Sequence, residues 1–189
     1  MTHRVWFISD THFGHEKCCT SFTMPDGVTP LRPFASAEEM DEEMIKRWND
    51  VVRPQDRVYH LGDVVIARKN LETLGRLNGR KKLIRGNHDI FKATDYLKYF
   101  DDLVGVYVLE GMVLSHIPLR LECITERYRT NVHGHLHAHV IDNPMYFNVS
   151  VEQINFAPIE LPDLRAAIGA KRARYPDYPY PVKIVREAS

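Results

Sequence analysis

The sequence predicts an α/β fold, and three observations carry that prediction. In the first half, short apolar runs alternate with helical stripes in the order β, α, β, α, β. In the second half, short apolar runs follow one another across tight turns. The composition, 44% apolar and 26% charged over 189 residues, is that of a chain that buries a core. That length suits one domain over 1–189, with an extended tail from about 176 to 189.

Residues 5–9 form an apolar run that stops at Asp10, the pattern of a buried first strand. From 11 to 35, Gly14, Pro25, Gly27, Pro30 and Pro33 interrupt every period. This is a long loop, and loops of that length in compact domains are usually lids or binding segments. Ser36 and Glu39 have capping-box spacing. Met40, Met44, Ile45, Trp48 and Val52 then recur at helical spacing, so a helix runs to about Val52. Residues 58–61 read as a second strand that stops at Gly62-Asp63. Leu71, Leu74 and Leu77 form a helical stripe ended by Asn78-Gly79. Residues 81–84 are a third strand, followed by Arg85-Gly86-Asn87-His88-Asp89. This order predicts a sheet with parallel strands covered by helices.

Further on, 103–109 and 112–115 read as two strands joined by Glu110-Gly111, a hairpin-like turn. Residues 130–132 are a short strand before His133-Gly134-His135. Residues 140–141 and 146–151 flank Asp142-Asn143-Pro144 in another hairpin-like pattern. Pro162 opens a helix to about Arg174, and Pro176, Pro179 and Pro181 mark the tail.

Charge and cysteine usage bound the function. Lys plus Arg and Asp plus Glu both total 25, so no global field attracts a long polyanion. A nucleic-acid partner is disfavoured, although a local basic groove is compatible with these totals. Cys18 and Cys19 are adjacent and Cys123 is the third, an odd set that makes a poor disulfide framework and indicates a reducing compartment. The apolar run at 5–8 is too short for a signal-peptide core or a membrane span, so the expected location is the cytoplasm.

Candidate metal ligands fall just after strands in five blocks: Asp10-Thr11-His12, Gly62-Asp63, Gly86-Asn87-His88-Asp89, Ser115-His116 and Gly134-His135-Leu136-His137. Each has a bland reading by itself, since Asp, Asn and Gly are also turn formers. Their succession, each after a strand, carries the argument, because side chains leaving adjacent strand ends converge. Asp, Asn and His are hard or borderline donors that suit Zn²⁺, Mn²⁺, Fe or Ni²⁺. Gly62, Gly86 and Gly134 allow tight turns and close backbone approach. Asp10, His12, Asp63, Asn87, His116, His135 and His137 are too many for one tetrahedral site and fill two if one carboxylate is shared. Asp63 is the natural bridge, because a carboxylate has two oxygens. Such a pair of ions shares a hydroxide and clamps the attacking and leaving oxygens of a phosphate ester.

The ordered set resembles the signature of the calcineurin-like metallophosphoesterase superfamily: D-x-H, G-D, G-N-H-D/E, a lone His, and G-H-x-H. The likeness covers residues 5 to about 150, and the short chain is similar to small bacterial and phage-type members. It implies a four-layer α/β/β/α sandwich of two mixed β-sheets flanked by helices. It implies that Asp10, His12, Asp63 and His137 hold one divalent ion, and Asp63, Asn87, His116 and His135 the other. Manganese is the first expectation for both, with Fe, Ni²⁺ or Zn²⁺ as alternatives. His88 would lie beside the leaving-group oxygen as the catalytic proton donor or charge stabiliser. Some members orient this histidine with an acid three residues after the bridging Asp; here that position is Ile66, which leaves open what orients His88.

The function expected is hydrolysis of a small phosphodiester or phosphomonoester, a nucleotide among them, by attack of the bridging hydroxide. His15 and Arg32 are candidate contacts to substrate phosphate, each with a plain loop role as the alternative. Two readings compete: a metal-dependent nuclease, and a non-catalytic scaffold, which the loss of a ligand would favour. A structural zinc site would need a closed Cys/His set, which the three cysteines do not form.

Overall fold

The computed structural model describes residues 3–124 and 128–180. The tail expected beyond 180 lies outside the described residues. In chain order the first elements are β1 (Val5–Ile8), α1 (Lys17–Thr20), α2 (Ala37–Val51), β2 (Arg57–His60), β3 (Arg80–Ile84), α3 (Ala93–Tyr96) and β4 (Asp102–Val104). There follow β5 (Val106–Leu109), β6 (Met112–Ser115), β7 (Thr130–His133), β8 (Tyr146–Asn148), β9 (Ile159–Glu160) and α4 (Leu161–Ala173). Short 3₁₀ segments occupy Arg68–Arg76, Leu121–Cys123 and Val151–Gln153.

One sheet has the order β4-β3-β2-β1-β9, parallel except for β9. The other is β5-β6-β7-β8, in which only the β5–β6 pair is antiparallel. Successive strand residues point to opposite faces, which separates two cores. Trp6, Ile8, Val58 and Leu83 pack against Met40, Met44, Ile45 and Trp48 of α2. Phe7, Tyr59 and Ile84 turn the other way and meet Leu114 and Val132 of the second sheet, with Leu164 and Ile168 of α4. The result is the α/β sandwich of two mixed sheets with flanking helices.

The helix α2 begins as its sequence suggests. Ser36 accepts the Glu39 N–H at 3.2 Å, while the Glu39 carboxylate reaches back to the Ala35 N–H at 2.7 Å. The Glu110-Gly111 turn joins β5 to β6 with both residues at positive φ, 47° and 81°, the two-residue hairpin geometry.

Four elements differ from expectation. Leu71 and Leu74 lie in the 3₁₀ segment ending at Arg76, with Leu77 as its extended C-cap, and a spacing of three is that helix's own period. The run 103–109 is two strands in different sheets: the chain leaves β4 and enters β5 across Gly105. Residues 140–141 form no strand, because β8 pairs with β7 in parallel and the segment between them is a crossover rather than a hairpin. The loop 11–35 contains α1, whose Cys18 and Cys19 are buried in the core under α2. All three cysteines are free. Among the described residues, no helix is long and apolar enough to cross a membrane.

One local feature decides where the site forms. Ser9, just past β1, bridges in parallel to Ser150, just past β8: its N–H donates to Val149 O at 2.9 Å, and its carbonyl accepts from Val151 N at 3.1 Å. The ends of the two sheets are thereby joined, and the blocks that follow β1, β2, β3, β6 and β7 open onto one place.

Candidate metal centre

The backbone at this junction is unusual. Five of the seven candidate ligands have left-handed φ: Asp10 60°, His12 48°, Asp63 58°, His135 69° and His137 49°. For non-glycine residues each such conformation costs on the order of 1–3 kcal/mol and persists only where neighbours hold it. Here they do. Asp10 N donates to Gly62 O and His12 N to Asp63 O, both at 3.0 Å. His135 N donates to Asp10 Oδ2 at 2.9 Å, as does the Ser150 hydroxyl. Two glycines permit the closeness: a Cβ on Gly86 would overlap Asp63 Oδ1, and one on Gly134 would overlap Ser9 Oγ and Asp10 Oδ2.

The side chains converge in two groups. Asp10, His12 and His137 each place a donor atom within 4.8 Å of the others, and so do Asp63, His116 and His135. Asp63 Oδ2 lies between them, 3.5 Å from His12 Nε2 and 3.3 Å from His116 Nε2. Asn87 Oδ1 is 2.9 Å from His116 Nε2, and His135 Nδ1 is 3.3 Å from that same nitrogen. Ligand atoms around a tetrahedral ion with bonds of about 2.1 Å stand about 3.4 Å apart, so this spacing fits metal coordination.

Hydrogen bonding also favours that use. His116 Nδ1 donates to Leu61 O at 2.8 Å, which leaves Nε2 with its lone pair toward Asp63 and Asn87 when the ring is neutral. His137 Nδ1 donates to Glu152 Oε1 at 3.1 Å, leaving its Nε2 facing Asp10 Oδ1 at 3.9 Å. Asp10 Oδ1 and His12 Nδ1 are buried without a hydrogen-bond partner among the described residues. A buried carboxylate oxygen lacking a donor is expensive unless a cation meets it. The residues fit a pair of divalent ions.

The ionisation pattern agrees. Burial raises the Asp63 carboxyl, but the hydrogen bond and charge of His116, then His12, outweigh it and hold the pKa at about 2. Burial, helped by Arg32, pushes His12 well below the usual histidine range, so its imidazole is neutral. Burial lowers His116, yet Asp63 and Asp10 more than restore it, and its pKa lies above the ordinary value. Positive charge is favoured between these atoms.

The remaining candidates divide. His88 is exposed at the edge of the cluster; its N–H donates to Asp63 Oδ1 at 2.8 Å and its ring meets His12 edge-on at 5.4 Å. Its imidazole has no hydrogen-bond partner among the described residues, so the open question at Ile66 has no acid as its answer. His15 is half-buried, 5.7 Å from His12 between ring centres, with Phe22 beside it. Arg32 corrects an expectation. It is fully buried, and its guanidinium is spent on Glu152 and on the carbonyls of Asp10 and Thr11, so it has no face for substrate phosphate. Glu152 itself was invisible in the sequence: it follows β8 in a stretch with no motif, and its partner is 120 positions away.

His60 has a structural role. Gly62 N donates to its Nδ1 at 3.2 Å and the Thr11 hydroxyl donates to Val64 O at 2.9 Å, so His60 Nε2–H donates to Thr11 Oγ1 at 3.0 Å. A neutral ring thus ties the Asp10 turn to the Asp63 turn. Burial lowers its pKa from 6.5 to about 3. The unfolded chain therefore binds a proton here that the folded chain refuses, and the stabilisation, complete above about pH 6.5, is lost as pH falls toward 3. Each pH unit in that window removes up to about 1.4 kcal/mol. Metal-free protein is expected to melt at lower temperature at pH 5 than at pH 7. In His60→Gln, which cannot take up the proton, the gap should shrink; an unchanged gap would exclude His60 as its source.

The family model described as calcineurin-like phosphoesterase matches residues 3–169. Protein MJ1445 of Methanocaldococcus jannaschii is 36% identical over 181 residues, covering 84% of this chain and 87% of that protein. The gene 66 protein of Mycobacterium phage L5 is 36% identical over 118 residues, 60% of this chain and 50% of the phage protein. Among solved structures, protein AQ665 of Aquifex aeolicus superposes with a TM-score of 0.68 at 26% identity, over 88% of this chain and all of the other.

Proposed function

Since the chain belongs to the calcineurin-like phosphoesterase family, we propose that it hydrolyses a small phosphodiester or phosphomonoester, with a nucleotide among the candidates, at the cluster centred on Asp63. The observation that carries this reading is the position of Asp63 Oδ2, 3.5 Å from one histidine nitrogen and 3.3 Å from another, each in a different donor group. One group with Asp63, namely Asp10, His12 and His137, would hold one divalent ion, and Asp63, Asn87, His116 and His135 the other, Mn²⁺ being the first candidate. When bound, such a pair supplies Lewis acidity that activates water near neutral pH and offsets charge on phosphoryl oxygens.

The chain's own residues do the rest. Asp63 spans both groups with one oxygen, while its other oxygen accepts the His88 N–H and so places His88 at the rim. From that exposed position the imidazole meets the ester oxygen, stabilises charge there and delivers a proton to the leaving group. His15, half-buried beside His12, would contact a non-reacting phosphoryl oxygen.

The test is metal analysis together with hydrolysis of a model diester and a model monoester, before and after reconstitution of metal-free protein with Mn²⁺ or Ni²⁺. Two ions per chain and metal-dependent turnover are expected; fewer than two ions would contradict the proposal. His88→Ala is expected to lower kcat about a hundredfold, within the usual range for a lost acid–base group, with both ions retained. Loss of an ion from that variant would show His88 to be a ligand instead.

A further inference from the structure

Arg32 and Glu152 form an ion pair whose side chains are 0% and 2% exposed. Arg32 Nε and Nη2 both lie 2.8 Å from Glu152 Oε1. The same guanidinium donates through Nη2 to Asp10 O at 2.6 Å and through Nη1 to Thr11 O at 2.8 Å. Glu152 Oε1 in turn accepts His137 Nδ1–H at 3.1 Å. One buried pair therefore grips the backbone of the left-handed Asp10-Thr11-His12 turn and sets the ring orientation of His137. Among the described residues it makes no direct hydrogen bond to Asp63, Asn87, His116 or His135. Of those, His116 is held by Leu61 O and Asp63 by the His88 N–H, while the His135 N–H and Asp63 O bond to Asp10 Oδ2 and His12 N.

Burying an ion pair gives little net stability, because desolvation offsets most of the attraction. What this pair provides is direction. The rigid planar fork fits two carbonyls and a carboxylate at once, and a lysine could not hold all three.

Building on the two-ion reading above, we propose that Arg32 and Glu152 are positioning residues for one metal subsite only, that of Asp10, His12 and His137. The other subsite feels the pair only indirectly, through the bonds of the Asp10 turn to His135 N and Asp63 O.

The experiment is a Mn²⁺ titration of metal-free protein by calorimetry, paired with electron paramagnetic resonance of the loaded protein. Wild type is expected to bind two ions and to show a spin-coupled pair. Glu152→Gln should weaken one ion about 10–100-fold, the usual effect of removing the partner of a ligating histidine, while the other stays within about twofold. At intermediate Mn²⁺ the coupled signal should give way to that of an isolated ion. Arg32→Lys, which keeps the charge and loses the fork, should shift the same ion in the same direction and decides the matter should Glu152→Gln fail to fold. Joining Glu152→Gln to His116→Ala, which damages the other subsite, should leave no ion bound with wild-type affinity. Equal weakening of both ions, or of neither, would overturn the proposal while the two-ion reading stands. A wild-type protein that binds fewer than two ions overturns both.

Discussion

Asp63→Asn is expected to lower kcat/KM by on the order of 10³, about 4 kcal/mol of barrier, with the fold preserved. The substitution changes one oxygen to NH₂ and nothing in shape. Its Oδ1 still accepts the His88 N–H, now at 2.8 Å, and its own N–H still reaches Asp89 Oδ2 at 2.9 Å. What disappears is the negative charge shared between His12 Nε2 and His116 Nε2. An amide nitrogen there would point hydrogens at two imidazole nitrogens whose lone pairs are needed for cations. One ion is expected to be lost or greatly weakened, and the melting temperature of the metal-free protein should change little. The checks are steady-state kinetics on both model esters, metal stoichiometry and thermal unfolding. A folded Asp63→Asn protein that keeps both ions and more than about a tenth of the activity would refute the shared role.

The candidate set that the structure brings together was legible in the sequence because it is written locally. Asp10, Asp63, Asn87, His116, His135 and His137 each come shortly after a short apolar run, and the end of a strand is where a side chain faces a sheet's open edge. The glycines were legible for the same reason: Gly86 and Gly134 stand where another strand's loop passes within contact. The supports of those ligands were not legible. Glu152 sits in a run with no periodicity signal, and Ser150 reaches Asp10 from 140 positions away. Arg32 carried the opposite signal: an arginine in a proline-rich loop looks available to phosphate until packing buries it. Left-handed φ at Asp10, His12, Asp63, His135 and His137 has only a weak marker in residue type, the enrichment of Asp and His in that region, and is fixed by long-range hydrogen bonds. In the fold, β-branched and apolar runs placed every central strand, whereas β9, with one partner and two residues, has too little pattern to be seen. Gly105 between β4 and β5 was read through because the run 103–109 is apolar on both sides of it.

Asp89→Ala is expected to destabilise the metal-free protein by about 3–5 kcal/mol, since each buried donor left unmatched costs about 1–3 kcal/mol. Asp89 is 2% exposed and is the node between two ligand loops. Its Oδ2 accepts Asp63 N at 2.9 Å and Gly86 N at 2.8 Å, and its Oδ1 accepts Val64 N at 3.0 Å. Alanine leaves all three N–H groups without an acceptor, and two of them are buried. The same bonds hold Asp63 at φ 58°, a conformation that relaxes once its neighbours let go. Stability and catalysis should therefore fall together in this variant, in contrast to Asp63→Asn, where they separate. Asp89→Asn should lie between the two, because one oxygen can still serve the Asp63 and Gly86 N–H groups while the amide NH₂ confronts Val64 N. Urea unfolding of the metal-free proteins measures the order directly. If Asp89→Ala unfolds within about 1 kcal/mol of wild type, these N–H groups find other acceptors and the 62–64 and 86–89 loops are held together by something else.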